Sequence, residues 1–84
     1  MTLNYIIIGK HIKKARKKMK ITQEKLAELI DICPSYISYI ETGRKRLSLE
    51  TLVDIANTLQ VSADELLSFN IEYKNEVKDE FSSI

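Results

Sequence analysis

The sequence predicts an all-α domain built from five short helices. Three observations predict it. Apolar residues recur at i, i+3, i+4 and i+7 rather than alternating, which is the helical period. Ser, Thr or Asn stands where several of these stripes begin, and a side-chain oxygen there satisfies the free amides of a first helical turn. The breaks between stripes are only a few residues long, as between helices that pack as near neighbours.

In the first stripe Ile8, Ile12, Ala15 and Met19 line one face, Lys10, Lys13, Lys14, Lys17 and Lys18 fill the others, and Asn4 is the upstream cap. A break is expected near Lys20–Ile21. Thr22 caps a second helix, with Leu26, Ala27, Leu29 and Ile30 facing inward and an end by Asp31. Cys33-Pro34 opens a third, because proline at the first helical position loses no hydrogen bond and has its φ already set. Ile37 and Ile40 are its inward pair, and Gly43 ends it as a left-handed stop. Ser48 caps a fourth helix with a stripe of Leu49, Leu52, Val53, Ala56 and Leu59; Thr51 stands where a glutamate would complete a capping box. Ser62 and Glu65 do complete one for a short fifth helix carrying Leu66, Leu67 and Phe69. Residues 70–84 are acidic and polar, with Val77, Phe81 and Ile84 at i, i+4 and i+7. They read as a weak amphipathic helix that docks on the domain, docks on a partner, or frays.

Composition narrows the function. At 84 residues one domain is the natural expectation, and 44% hydrophobic residues suffice for one compact core. With two glycines and one proline the chain is no linker. No apolar run approaches the roughly 20 residues of a membrane span, and the apolar start Met1 to Ile8 is too short for a secretory signal, so a cytoplasmic protein without a membrane partner is expected. Cys33 and His11 are single, which excludes a four-ligand zinc site. Gly9 and Gly43 are isolated, so there is no phosphate-binding glycine loop. No enzyme activity, metal, cofactor or small-molecule site is expected. Cys33 reads as structural and His11 as a surface residue.

The net charge of +1 hides an asymmetry. Residues 1–46 carry eleven Lys/Arg against four Asp/Glu, a net +7, and residues 47–84 carry two against eight, a net −6. A basic half of this size is the electrostatic footprint of a polyanion binder, although a solvated lysine-rich face produces the same count. The helix-1 lysines fit that second reading.

The segment from Thr22 to Thr42 is more specific. Two helices crossing at a wide angle through a short turn need a small residue where their backbones approach, and Ala27 is that residue. They also need apolar residues for a shared core, and Leu26, Ile32, Ile37 and Ile40 supply them. Asp31, in the turn, is expected to be left-handed. The domain is expected over residues 4–69, with the helix-turn-helix over 22–42 and an acidic extension over 70–84.

From Ile8 to Leu67, about 60 of the 84 residues, the chain resembles the phage-repressor-like helix-turn-helix family, also called Cro/CI or XRE. TQEKLA, YISYIETGR and LETLVDIANTLQVSADELL follow one another in the family order. The resemblance implies a compact five-helix, lambda-repressor-like fold. It implies a transcriptional regulator, read here as a dimeric repressor, that binds double-stranded DNA at a two-fold operator. The helix from about Pro34 to Thr42 would enter the major groove. Carried over residue by residue, base contacts fall on Pro34, Ser35, Tyr36 and Tyr39, with packing against the core as the alternative for Tyr36. Phosphate contacts fall on Thr22, Gln23, Ser38, Thr42, Arg44 and Lys45, with Arg46 next to them. Gln23 would also brace the recognition helix. Arg16 and Glu41 would form an ion pair that orients this helix rather than adding much net stability; a phosphate contact is the alternative for Arg16. Dimer contacts are expected from the fourth helix onward.

Two residues depart from the family pattern. Asp31 stands where the turn is usually glycine. Pro34 stands near a position that is often a polar base reader, and its ring offers only apolar contact, for example to a thymine methyl. Discrimination is therefore expected to lean on apolar contact, DNA shape and dimer spacing. The competing readings are a protein-interaction module of the same fold and the DNA-binding domain of a larger sensor.

Overall fold

A computed structural model describes residues 3–68. It contains α1 (Tyr5–Lys18), α2 (Gln23–Ile30), α3 (Pro34–Glu41), α4 (Leu49–Leu59) and α5 (Ala63–Leu66), with no strand among the described residues. The fold is the five-helix all-α arrangement that the stripes predict. Phe69 and the extension 70–84, including Val77, Phe81 and Ile84, lie outside the described residues.

The helix starts follow from side-chain caps. Asn4 Oδ1 accepts from Ile7 N at 3.2 Å. The Thr22, Ser48 and Ser62 hydroxyl oxygens accept from Lys25 N, Thr51 N and Glu65 N at 3.0, 3.1 and 3.1 Å. α3 is the exception: Cys33 precedes it without a side-chain cap bond, and Pro34 removes one of the amides that needed one. Where a glutamate would have completed the box of α4, Thr51 instead meets the Ser48 hydroxyl at 3.0 Å.

Three stops use left-handed residues other than glycine: Lys20 (φ 61°), Asp31 (φ 58°) and Gln60 (φ 58°). After α2, Ile32 N reaches back to Ala27 O at 2.9 Å, and after α4, Val61 N reaches Ala56 O at 3.0 Å. These bonds satisfy carbonyls left open by the helix end. Asp31 thus occupies the left-handed turn position, and it also sets a negative charge at a helix C-terminus, where the dipole disfavours it. Asp31→Gly is expected to stabilise the domain by roughly 1 kcal/mol. That corresponds to a rise in melting temperature of about 4–8 °C. A melting curve unchanged or shifted down would contradict the strain at this position.

The core is formed by Ile8 and Ile12 of α1, Leu26 and Ala27 of α2, Ile37 and Ile40 of α3, Leu52, Ile55, Ala56 and Leu59 of α4, and Leu66 of α5. Ile32 packs against it half-buried. Several inward assignments need correction. Leu29 is exposed, because Leu26, Ala27 and Ile30 already occupy the narrow inner face of an eight-residue helix. On α4 the buried stripe is Leu52, Ile55, Ala56 and Leu59, at i, i+3, i+4 and i+7; Leu49 and Val53 are 77% and 44% exposed. Met19 lies past the end of α1 and is exposed. His11 is no plain surface residue: it is half-buried, with Nδ1 3.0 Å from Leu66 O, and so ties α1 to the end of α5.

The glycines mark two close approaches. A Cβ on Gly9 would lie 2.3 Å from Ile40 O and 2.6 Å from Glu41 O, so the backbone of α1 rests directly on the end of α3. Gly43 has φ 75° and meets Ile6 in the same manner.

Candidate nucleic-acid interface

α3 divides its residues between core and surface. Ile37 and Ile40 hold its inner face in the core, while Pro34, Ser35 and Tyr39 are exposed and Tyr36 and Ser38 half-buried. Ser35 and Tyr39 are one turn apart at i, i+4 and therefore share a face. With Tyr36 and Lys45 they line a shallow concavity of about 400 Å³. The structure thus brings three of the four candidate base-contacting residues and one candidate phosphate-contacting residue to one surface. Pro34 is exposed at the start of the same helix.

The N-terminus of α2 is the second part. The Thr22 oxygen is occupied in capping, and its hydroxyl hydrogen remains to be donated. Gln23, half-buried, donates from Nε2 to Glu41 Oε1 at 3.0 Å. It therefore braces the end of α3.

Beneath it lies the Arg16–Glu41 ion pair. Arg16 Nε donates to Glu41 Oε2 at 2.6 Å and Nη2 to Oε1 at 3.2 Å, while Nη1 donates to Ile21 O at 2.8 Å. This is the paired-fork geometry of arginine on carboxylate. Both residues are buried, at 8% and 4% exposure. The guanidinium is therefore turned inward, away from the surface where a phosphate would lie. Arg16, Gln23 and Glu41 together join α1, α2 and α3 at the base of the exposed face.

The loop after α3 supplies cations. Arg44, Lys45 and Arg46 are exposed, and among the described residues none of them is ion-paired. Arg44 N and Lys45 N both donate to Tyr39 O, at 2.9 and 3.4 Å. The Thr42 hydroxyl donates to Ser38 O at 3.0 Å and Tyr39 O at 3.3 Å, so it folds back on its own helix. Tyr36 Oη donates to Arg46 O at 3.1 Å. The Arg46 guanidinium lies 6.0 Å from the centroid of the Tyr5 ring.

Sequence reasoning missed the part that the start of α1 plays here. Tyr5 and Ile6 figured only as part of the apolar start Met1 to Ile8, and they meet Arg46 and Gly43 respectively. Gly9 was the available signal. A glycine inside a helical pattern usually has a packing reason, and here the reason is contact with the end of α3.

α2, the left-handed turn at Asp31 and α3 with its exposed face form a helix-turn-helix module, followed by a basic loop. A helix-turn-helix family model matches residues 12–66, and the chain belongs to that family, of the Cro/CI or XRE type. The family is one of transcription regulators, not of enzymes. The immunity repressor protein of Bacillus phage phi105 is 45% identical over 58 residues, covering 67% of this chain and 40% of that protein. Control protein C.MunI of Mycoplasma sp is 39% identical over 64 residues, covering 75% and 86%. An uncharacterized helix-turn-helix regulator of Bacillus subtilis (strain 168), YqaE, is 39% identical over 62 residues, 73% of this chain and 53% of its own length. The match thus spans about half or less of YqaE and of the phage repressor. Among solved structures, the clp gene regulator ClgR from C. glutamicum superposes with a TM-score of 0.73 at 30% identity, covering 80% of this chain and 87% of that one. The restriction-modification controller protein C.AhdI from Aeromonas hydrophila superposes with a TM-score of 0.72 at 26% identity, covering 77% and 98%. No described helix is long and apolar enough to cross a membrane.

Proposed function

We propose that the chain is a dimeric repressor that binds a two-fold operator in duplex DNA, with α3 in the major groove. The observation that carries this reading is the concavity of Ser35, Tyr36, Tyr39 and Lys45, on a basic loop whose cations make no ion pair among the described residues. Pro34, Ser35 and Tyr39 face base edges. Thr22, Gln23, Ser38, Arg44 and Lys45 face phosphates on either side, and these contacts position the protein without reading sequence; Thr42, whose hydroxyl hydrogen and amide both go to its own helix, has no donor left for one. The Arg16–Glu41 pair and Gln23 orient α3. The resemblance to a phage immunity repressor and to control proteins supports regulation by operator binding. The dimer contact is assigned to the half of the chain from α4 onward, where Leu49 and Val53 are exposed one turn apart.

Selection of bound sites from random duplex DNA tests the reading. The expected product is a symmetric site whose halves are about 34 Å apart. Arg44 and Lys45 of two protomers would neutralise four phosphates, so log affinity should fall with log salt at a slope of about −4. Absence of duplex binding, or a flat salt response, would favour a protein-interaction module. Sedimentation showing only monomer at high concentration would remove the dimer.

A further inference from the structure

We propose that Tyr36 is a positioning residue for the basic loop rather than a reader of bases, and that Tyr5 is its partner in that task. The inference rests on the proposed DNA binding. Among the described residues Arg44 and Lys45 of this loop make no ion pair, and where their charges fall depends on where the backbone holds them. That backbone is pinned at both ends. At its start, Gly43 at φ 75° lies so close to α1 that an added Cβ would be 2.7 Å from Ile6 Cγ1 and 2.8 Å from Ile6 Cα. In its middle, the Tyr39 carbonyl takes the amides of Arg44 and Lys45. At its end, the Tyr36 hydroxyl donates to the Arg46 carbonyl at 3.1 Å.

Two further facts favour a brace over a reader. The Tyr36 hydrogen is committed to that carbonyl, so toward a base edge the hydroxyl retains only acceptor capacity. Its ring packs half-buried against the core, as does the ring of Tyr5. The Arg46 side chain lies over Tyr5, where the ring face attracts a cation. Arg46 therefore serves as the anchored end of the loop, and Arg44 and Lys45 are the cations it presents. Tyr39, exposed and on the face of Ser35, keeps the base-reading role.

The test compares the parent with Tyr36→Phe and Tyr5→Leu on two duplexes of equal length, one recovered by selection and one unrelated. Tyr36→Phe keeps the ring and loses only the hydroxyl. Affinity is expected to fall by the same factor on both duplexes, roughly two- to ten-fold, as for one hydrogen bond. The salt slope should become shallower by about one per protomer as a phosphate contact is lost. In the free variant the Arg44 and Lys45 amides should exchange hydrogen faster than in the parent. Tyr5→Leu should move all three readouts in the same direction. Unchanged affinity and slope would overturn the proposal, and so would a loss confined to the selected duplex with an altered base preference. If the parent binds neither duplex, the DNA-binding reading fails, and unchanged amide exchange in Tyr36→Phe would separately show that the loop is not held by Tyr36.

Discussion

Gly9→Ala is expected to destabilise the domain by about 3 kcal/mol, the upper part of the range for overpacked sites. Helix propensity alone predicts the opposite sign, because alanine at a helix interior is favoured over glycine by roughly 1 kcal/mol. The deciding magnitude is the distance. The new methyl would sit 2.3 Å from Ile40 O, 2.6 Å from Glu41 O and 2.8 Å from Glu41 C. All three are backbone atoms at the end of α3, so no side-chain rotation relieves the contact. α1 must move away from α3, and Ile8 and Ile12, which are almost fully buried, move with it. At about 4–8 °C per kcal/mol for a domain of this size, the melting temperature should drop by some 12–24 °C. Thermal or urea unfolding followed by circular dichroism measures this directly. A variant as stable as the parent would show that α1 and α3 are not in backbone contact at this point.

The same glycine shows where legibility in the sequence ended. Helix starts were readable, because a cap is a local event between a side chain and an amide three residues on, and Asn4, Thr22, Ser48 and Ser62 all act in that manner. The inward faces of the helix-turn-helix were readable from spacing, and Ile37, Ile40, Leu26 and Ala27 are buried. The stripe of α4 was misread by starting it at Leu49, which placed Val53 inside and passed over Ile55. Apolar character cannot say which of two overlapping stripes meets the core; the packing of α1, α2 and α5 against α4 decides it. The break near Lys20–Ile21 was read but not how it is made: neither Lys20 nor Gln60 is of a residue type that signals a left-handed conformation. The contacts made by Tyr5, Ile6 and His11 were illegible for another reason. Each joins segments distant in sequence, and a stripe describes a helix without naming what lies across from it. At the interface, membership of the exposed face was legible, but the sharing of duties was not. Spacing cannot tell that the Tyr36 hydroxyl is taken by a carbonyl ten residues on.

Glu41→Ala is expected to cost about 3–5 kcal/mol, because it leaves a buried cation without its partner. Arg16, a residue 8% exposed in the parent, would lose both bonds to the carboxylate, and the Gln23 amide would lose its acceptor. That loss is the penalty of an unpaired charge, not the net worth of the pair. Removing both charges should therefore behave differently. The double variant Arg16→Met, Glu41→Leu exchanges the pair for apolar side chains, and such exchanges of buried pairs are often neutral or stabilising. Some cost remains, since Ile21 O loses its donor, yet most of the stability lost in Glu41→Ala should return. DNA affinity should not return with it. Without Glu41, Gln23 loses the bond that fixes it to the end of α3, and α1 and α3 then meet through the Gly9 backbone approach and apolar contact, without the directional side-chain bonds that the carboxylate supplied. Unfolding curves and duplex affinities for the parent, Glu41→Ala and the double variant separate the two effects. A double variant that folds and binds duplex like the parent would show that the pair orients nothing. One that folds like the parent and binds poorly would assign the pair to aiming α3 rather than to holding the domain together.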